Sequence, residues 1–295
     1  SYGYFSGGRP GPAASKISRL DYSNDTAACT QKGPLTEGGR SGSATGNQSY
    51  GYFSGGDPYS TVDRIDYGND TATAVAKGPL SAARYEPAAV SSLTHGYWAG
   101  GGPGPVSTID RLDYGNDTVA ASPKGPLNDT GRARAGTGNA SYGYISVGTS
   151  GETKLQRIDY SNDTATALER ATTSNYPGQA GVGNQFYGYF MGGSPSKSTV
   201  ERLDYSNDST ACAPKGNMSK GDYWFSATGN ANFGYYTGGP GSPANVGRLD
   251  YSSDTSTGLS KGTVSTPTDG SGATGNTSYG YFALGGPGNG NTKIQ

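Results

Sequence analysis

Arginine and aspartate recur two residues apart at six places in this chain, a spacing that puts both side chains on one face of a β-strand. A guanidinium beside a carboxylate could orient a substrate or help to move a proton. A pair that recurs in every copy of a repeat is more typical of scaffold, because a buried charge without a partner costs several kcal/mol. We therefore predict structural ion pairs between repeats, formed by Arg19 and Asp21, Arg64 and Asp66, Arg111 and Asp113, Arg157 and Asp159, Arg202 and Asp204, and Arg248 and Asp250.

Other reactive residues are few. The single histidine, His95, stands where other copies carry tyrosine, and Cys29 and Cys212 occupy a slot that small residues fill elsewhere. The sequence therefore predicts no catalytic residues, no enzyme activity and no cofactor. The Asp-Tyr-Ser-Asn-Asp-Thr turns resemble a calcium loop in composition, but turn chemistry alone explains their Asp and Asn. Calcium is kept as an alternative, and no metal site is predicted.

These residues belong to a repeat with a period of about 46 residues, the signature of a solenoid or propeller. Copies start near residues 1, 49, 94, 141, 186, 232 and 278. The second copy shows alternating or Thr-rich segments at 49–56, 60–67, 71–76 and 88–93, separated by Gly, Asn and Pro. Four short antiparallel strands per copy, with no helical period, predict an all-β propeller of four-stranded blades.

The order Gly-Tyr-Phe-x-Gly-Gly, Arg-Leu-Asp-Tyr, Asx turn, Thr-rich strand and Pro-Leu-x-x-x-Arg is similar to the kelch motif. The tryptophan usual in the fourth kelch strand is missing, so the chain is described as kelch-like. Its repeats also resemble those of structural and tail-fibre proteins of marine bacteriophages. We expect one kelch-like propeller domain over residues 1–295, part of a longer chain. Seven blades are the first expectation, completed by chain not present here, and six blades with a surplus C-terminal strand are the alternative.

Composition narrows the classes of partner. The net charge is -1 and only 15% of residues are charged, so no basic stripe is available to neutralise nucleic-acid phosphates. No apolar run approaches the length of a membrane span, and membrane insertion is not expected. Gly and Pro are abundant, but 23 regularly spaced tyrosines argue against disorder.

Length varies between copies mainly where the second strand connects to the third, and the connection from the fourth strand to the next copy varies in residue type. Both connections lie on one face of a propeller, and binding residues concentrate on loops held by a rigid scaffold. Candidate ligand-binding residues on this face are Asp222, Tyr223, Trp224, Phe225, Tyr85, Glu86, Tyr59 and Arg9.

The sequence thus favours a structural and recognition module in a virion appendage or another extracellular assembly. Its expected partners are a cell-surface glycan or protein receptor and other subunits of the assembly. A stand-alone lectin-like propeller is the alternative, and a glycan-acting propeller enzyme is the second alternative.

Overall fold

The computed structural model describes residues 15–37, 42–54, 56, 59–104, 106–130, 133–147, 151–175, 178–239, 244–264, 272–275 and 279–283. Its regular elements are short β-strands and 3-10 turns. The described residues form twenty-four strands: β1 (Ile17–Asp21), β2 (Thr30–Lys32), β3 (Ala44–Gly46), β4 (Tyr50–Ser54), β5 (Val62–Asp66), β6 (Val75–Lys77), β7 (Ala88–Ser91), β8 (His95–Ala99), β9 (Ile109–Asp113), β10 (Ser122–Pro123), β11 (Ala133–Gly138), β12 (Tyr142–Val147), β13 (Gly151–Asp159), β14 (Leu168–Asn175), β15 (Ala180–Gly183), β16 (Tyr187–Met191), β17 (Thr199–Asp204), β18 (Ala213–Asn217), β19 (Ser226–Gly229), β20 (Phe233–Thr237), β21 (Asn245–Asp250), β22 (Leu259–Thr263), β23 (Ala273–Gly275) and β24 (Tyr279–Ala283). The 3-10 turns are Tyr22–Asn24, Tyr67–Asn69, Tyr205–Asn207 and Tyr251–Ser253.

Five blades are each built from four consecutive antiparallel strands: blade 1 (β3–β6), blade 2 (β7–β10), blade 3 (β11–β14), blade 4 (β15–β18) and blade 5 (β19–β22). A further four-stranded sheet, the composite sheet, combines both ends of the chain in the order β2-β1-β24-β23. The first strands of neighbouring sheets contact one another all the way round, from β3 through β7, β11, β15, β19 and β23 back to β3. These six strands therefore form the inner ring of a closed propeller.

The predicted all-β architecture of four-stranded antiparallel blades is confirmed, but the predicted count of seven blades is wrong. Five blades are continuous, and the described residues contain no seventh sheet. The alternative of six blades with a surplus C-terminal strand fails as well, because β24 is not surplus. It pairs with β1 from Ile17↔Ala283 to Asp21↔Tyr279, so the two chain ends complete one sheet together.

The second strand of each blade is buried along almost its whole length, which explains its aromatic and glycine content. Its central tyrosine stacks on the tyrosine of the Asp-Tyr pair in the next sheet, with ring centroids 4.6–5.1 Å apart. These stacks bury large apolar surface between neighbouring sheets, and stacked aromatic pairs add stability beyond their buried area. The stacked pairs are Tyr52 and Tyr114, Tyr97 and Tyr160, Tyr144 and Tyr205, Tyr189 and Tyr251, and Tyr235 and Tyr22.

Two of these stacks contain a tyrosine hydroxyl that is buried without a hydrogen-bond partner. Tyr114 shares a hydrogen bond with Thr45 on β3, but Tyr160 meets Val90 at the same slot. The Tyr160 hydroxyl has no partner in the described structure. The same holds where Tyr251 meets a valine on β15. An unpaired buried hydroxyl costs about 1–3 kcal/mol.

Val90→Thr is therefore expected to raise the free energy of unfolding by about 1 kcal/mol, because threonine offers the Tyr160 hydroxyl a partner in nearly the same volume. Urea unfolding of the variant and the parent chain measures the change. The reverse substitution, Thr45→Val, is the matched control and should lower the free energy of unfolding. Equal midpoints for all three chains would show that solvent already satisfies these hydroxyls.

The blades present two faces. The loop face carries the connections from second to third strands, such as 192–198, and those from fourth strands to the next blade, such as 78–87 and 218–225. The opposite face carries the tight turns, including the Asp-Tyr turns. Within the part of the chain that is described, no helix has the length and apolarity needed to cross a membrane.

Candidate functional site

The predicted arginines lie in ion pairs between neighbouring sheets, but their partner is a different aspartate from the one predicted. Arg64 of blade 1 contacts Asp117, in the turn between β9 and β10 of blade 2, with Nη1 and Oδ2 2.7 Å apart. Lys77 and the Tyr52 hydroxyl of blade 1 reach the same carboxylate, at 3.1 and 2.8 Å. The corresponding pairs are Arg19 and Asp70, Arg111 and Asp163, Arg157 and Asp208, Arg202 and Asp254, and Arg248 and Asp25.

The aspartate two residues after each arginine instead closes its own turn. Asp66 is exposed, and its Oδ1 accepts the N–H of Gly68 at 2.8 Å. The strand ends at this residue, so its carboxylate lies beside the first free backbone N–H groups of the turn, which prefer such an acceptor. The six aspartates that were predicted to pair with the arginines between blades instead stabilise their own turns. They are Asp21, Asp66, Asp113, Asp159, Asp204 and Asp250.

The shared carboxylate stays ionised. Burial alone would raise the pKa of Asp117, but the hydrogen bonds from Tyr52 and Lys77 and the charge of Arg64 outweigh it and hold the pKa below its ordinary value. Burial, reinforced by the hydrogen bond to Asp117, raises the pKa of Tyr52, so the phenol keeps its proton and donates. The contacts of Asp117 with Arg64, Lys77 and Tyr52 therefore join two blades and have a structural role.

The other reactive side chains have structural surroundings too. His95 begins β8 on the opposite face, where Nδ1 lies 2.8 Å from the Thr94 hydroxyl, and partial burial lowers its pKa. Burial raises the thiol pKa of Cys29 and Cys212 to about 12, so neither forms a thiolate near neutral pH. Among the described residues no group of three or more His, Cys, Asp or Glu side chains could hold a metal ion.

Trp224 is the most prominent candidate on the loop face. It is 41% exposed, and its backbone has φ 51°, an unusual conformation for a large residue. The backbone N–H of Trp224 donates to the carbonyl of Gly178 at 2.8 Å. The indole ring is tilted against the Tyr223 ring, with centroids 5.2 Å apart. A Cβ on Gly178 would lie 2.5 Å from the Trp224 ring, so only glycine leaves room for it. The indole is thus held in place by the segment before β15.

Asp222 fixes the segment that carries this aromatic pair. It is 1% exposed, and its Oδ1 accepts the N–H of Tyr223 at 2.9 Å. Its backbone carbonyl accepts the N–H of Gly193, and its N–H donates to the carbonyl of Lys197. Asp222 was predicted to touch a ligand, whereas the structure buries it between two loops as a support for the aromatic pair.

Phe225 also differs from its predicted role. It is 6% exposed and packs against the core of blades 4 and 5, edge-on to Tyr236. The left-handed backbone at Trp224 turns neighbouring aromatic residues in different directions, one outward and one inward. Sequence alone gives no signal for this difference, because both residues are large and apolar.

Tyr85, Glu86 and Tyr59 do not join Trp224 in one pocket. Tyr85 and Glu86 precede β7, which lies three places from β19 in the ring of six inner strands, on the far side of the axis. Tyr85 makes two backbone hydrogen bonds with Gly102, and Glu86 has φ 54°. Tyr59 is 36% exposed on the connection between β4 and β5. Arg9 lies outside the described residues.

Sequence reasoning missed a shallow cleft beside Tyr223, between blades 4 and 5. It is lined by Ser219, Asp222, Phe225, Tyr236, Asn245 and Ser260, among others. The sequence signal that could have revealed the cleft is Gly247, which directly precedes the repeat arginine. Four other copies carry an acid or an amide at this position: Asp63, Asp110, Gln156 and Glu201. The candidate site therefore consists of the exposed Trp224, the half-buried Tyr223 beside it and this adjoining cleft.

Comparison with known proteins shows the fold only. No family model matches the chain, and no curated protein matches it. Among solved structures, that of YjhT aligns with a TM-score of 0.65 at 11% sequence identity, covering 79% of this chain and 86% of that one. The similarity supports the β-propeller with four-stranded blades, and it supports neither the kelch nor the bacteriophage resemblance.

The prediction that the chain is not an enzyme is wrong, because the fold does not exclude catalysis. The chain shares its fold with YjhT, and one fold hosts many unrelated functions, catalytic and non-catalytic. The absence of a recognisable catalytic motif in the repeats therefore does not decide against catalysis.

Proposed function

We propose that this propeller is a recognition module that binds carbohydrate through its loop face, with Trp224 as the anchor. The observation that carries the proposal is the indole itself: it is 41% exposed, and it lies against Gly178, whose carbonyl accepts the backbone N–H of Trp224. A rigid aromatic ring loses little entropy when it stacks on the apolar face of a sugar. Hydroxyl and amide groups in the adjoining cleft suit the sugar hydroxyls.

A protein surface is the competing partner, since exposed tryptophan and tyrosine also anchor protein interfaces. The proposed setting stays the one predicted from the repeats, a virion appendage or another extracellular assembly with a cell-surface receptor and neighbouring subunits as partners. The sequence of the full-length gene tests this setting. A fibre stem or attachment segment beside the propeller would support it, whereas a lone propeller would favour a soluble lectin.

Trp224→Ala is expected to weaken glycan binding at least about tenfold, equivalent to about 1.4 kcal/mol. An array of immobilised neutral and anionic oligosaccharides, probed with both chains, measures the loss. Phe186→Ala is the matched control: this aromatic residue is 60% exposed in the turn between β15 and β16, on the opposite face, and its removal should change nothing. If the parent chain binds no oligosaccharide, the proposal fails. If bound oligosaccharides are converted to products, the module is a glycan-acting enzyme.

A further inference from the structure

The interface between blades 4 and 5 departs from a bonding pattern that other interfaces share. At blade 1, the carboxylate of Asp63 accepts the backbone N–H of Thr36 from the preceding sheet at 2.8 Å. Equivalent bonds run from Ser81 to Asp110, from Asn128 to Gln156 and from Ser174 to Glu201. At the interface of blades 4 and 5 the equivalent N–H, from Ser219, is accepted by the Tyr236 hydroxyl at 2.7 Å.

Gly247 explains why a tyrosine hydroxyl accepts this N–H here. It occupies the position of Asp63 and lies opposite Tyr236 in the ladder, as Asp63 lies opposite Phe53. A Cβ on Gly247 would lie 2.1 Å from the Tyr236 ring, so the ring fills the space that the acid occupies elsewhere. The phenol has taken over the structural hydrogen bond, and position 247 of this interface carries no carboxylate.

The exchange changes what the interface offers to solvent. The Tyr236 hydroxyl donates to the Ser219 hydroxyl at 3.1 Å, which places two neutral groups side by side that both donate and accept. Burial raises the pKa of Tyr236, so the phenol stays protonated near neutral pH. The exposed Ser260 and Asn245 line the same cleft, whose lining also includes one basic residue, Lys220, and one acidic residue, Asp222, so neither charge is in excess. Neutral hydroxyl and amide groups against the edge of an aromatic ring suit sugar hydroxyls better than they suit an ionic group.

We infer that the cleft between blades 4 and 5, built by Tyr236, Ser219 and Gly247, is a subsite for a hydroxyl-bearing arm of a neutral saccharide whose ring stacks on Trp224. The inference rests on the proposed function and adds to it the ligand class and the residues that select it. Asp222 lines the cleft two residues before Trp224, so the chain itself joins the cleft to the indole.

The decisive experiment restores the bonding pattern of the other blades at this interface. In the variant Tyr236→Phe with Gly247→Asp, an aromatic residue again faces an acid, as Phe53 faces Asp63 and Trp98 faces Asp110. The new carboxylate should accept the Ser219 N–H and fill the cleft, leaving the urea midpoint near that of the parent chain. On the oligosaccharide array we expect binding of neutral glycans to fall at least about tenfold.

Ser260→Tyr is a second variant that blocks the cleft from its exposed rim without touching the interface hydrogen bond, and it should cause the same loss. If Trp224→Ala abolishes binding while both cleft variants keep the parent affinities, the subsite is refuted and the proposed function stands. If the parent chain selects only anionic oligosaccharides, the inferred ligand class is wrong. If the parent chain binds none, both proposals fail.

Discussion

Asp117→Ala is expected to lower the free energy of unfolding by about 3 kcal/mol, the lower end of the range for breaking a buried ion pair. The carboxylate is buried and holds Arg64, Lys77 and the Tyr52 hydroxyl, all from the neighbouring blade. Its removal strands two positive charges and one phenol hydroxyl in a blade interface. Arg64 keeps about a quarter of its side chain in solvent, which limits the loss. Urea unfolding followed by tyrosine and tryptophan fluorescence measures it.

Asp113→Ala is the matched control for this experiment. Asp113 belongs to the same copy of the repeat, four residues earlier, but it is exposed and accepts only the N–H of Gly115. Loss of such a turn cap costs about 1 kcal/mol. A larger loss for Asp113→Ala than for Asp117→Ala would contradict the assignment of the inter-blade partner and would favour the pairing predicted from sequence.

The contrast between these two aspartates shows what the sequence could and could not predict. Strand alternation predicted correctly that the arginines share one face with their neighbouring aspartates. It could not say which carboxylate each arginine meets, because both aspartates recur in every copy and the choice depends on the distance between blades. Only the packed interface places Asp117 within 2.7 Å of Arg64.

The number of sheets was not predictable for a related reason. Each repeat encodes a blade through local turns and alternation, but the ring closes through contacts between residues far apart in the chain. The pairing of Ile17 with Ala283 joins ends separated by almost the whole chain. Counting strands from one end therefore gave a seventh blade where the two ends in fact share one sheet.

The candidate site shows a third limit of prediction from sequence. The departure of residues 222–225 from the repeat drew attention to this loop, but composition gave all four residues the same role. The structure separates them by backbone conformation: φ 51° at Trp224 turns the indole outward, while Asp222 and Phe225 are buried. The cleft beside them arises from Gly247, a residue that lacks a side chain, so its effect appears only in what Tyr236 does in the freed space.

Deletion of residues 1–32 is expected to abolish cooperative unfolding altogether. It removes β1 and β2, and with them Ile17 and Leu20, which are 0% and 1% exposed. Two such side chains are worth about 3–6 kcal/mol of burial, against a total stability of about 5–15 kcal/mol for a typical domain. The deletion also takes away Asp25, the shared partner of Arg248 and Tyr235 in blade 5. Thermal unfolding by circular dichroism, with size-exclusion chromatography, measures the outcome.

Deletion of residues 1–14 alone is the control, because it keeps β1 and its pairing with both β2 and β24 intact. This shorter deletion should preserve a single sharp transition, so that the difference between the two chains isolates ring closure. β24 would be left as an open edge in the longer deletion, and unpaired edges promote association between chains. We therefore expect that chain to elute as aggregates. A monomeric product with the parent's melting temperature would show instead that the five continuous blades hold the ring without the composite sheet.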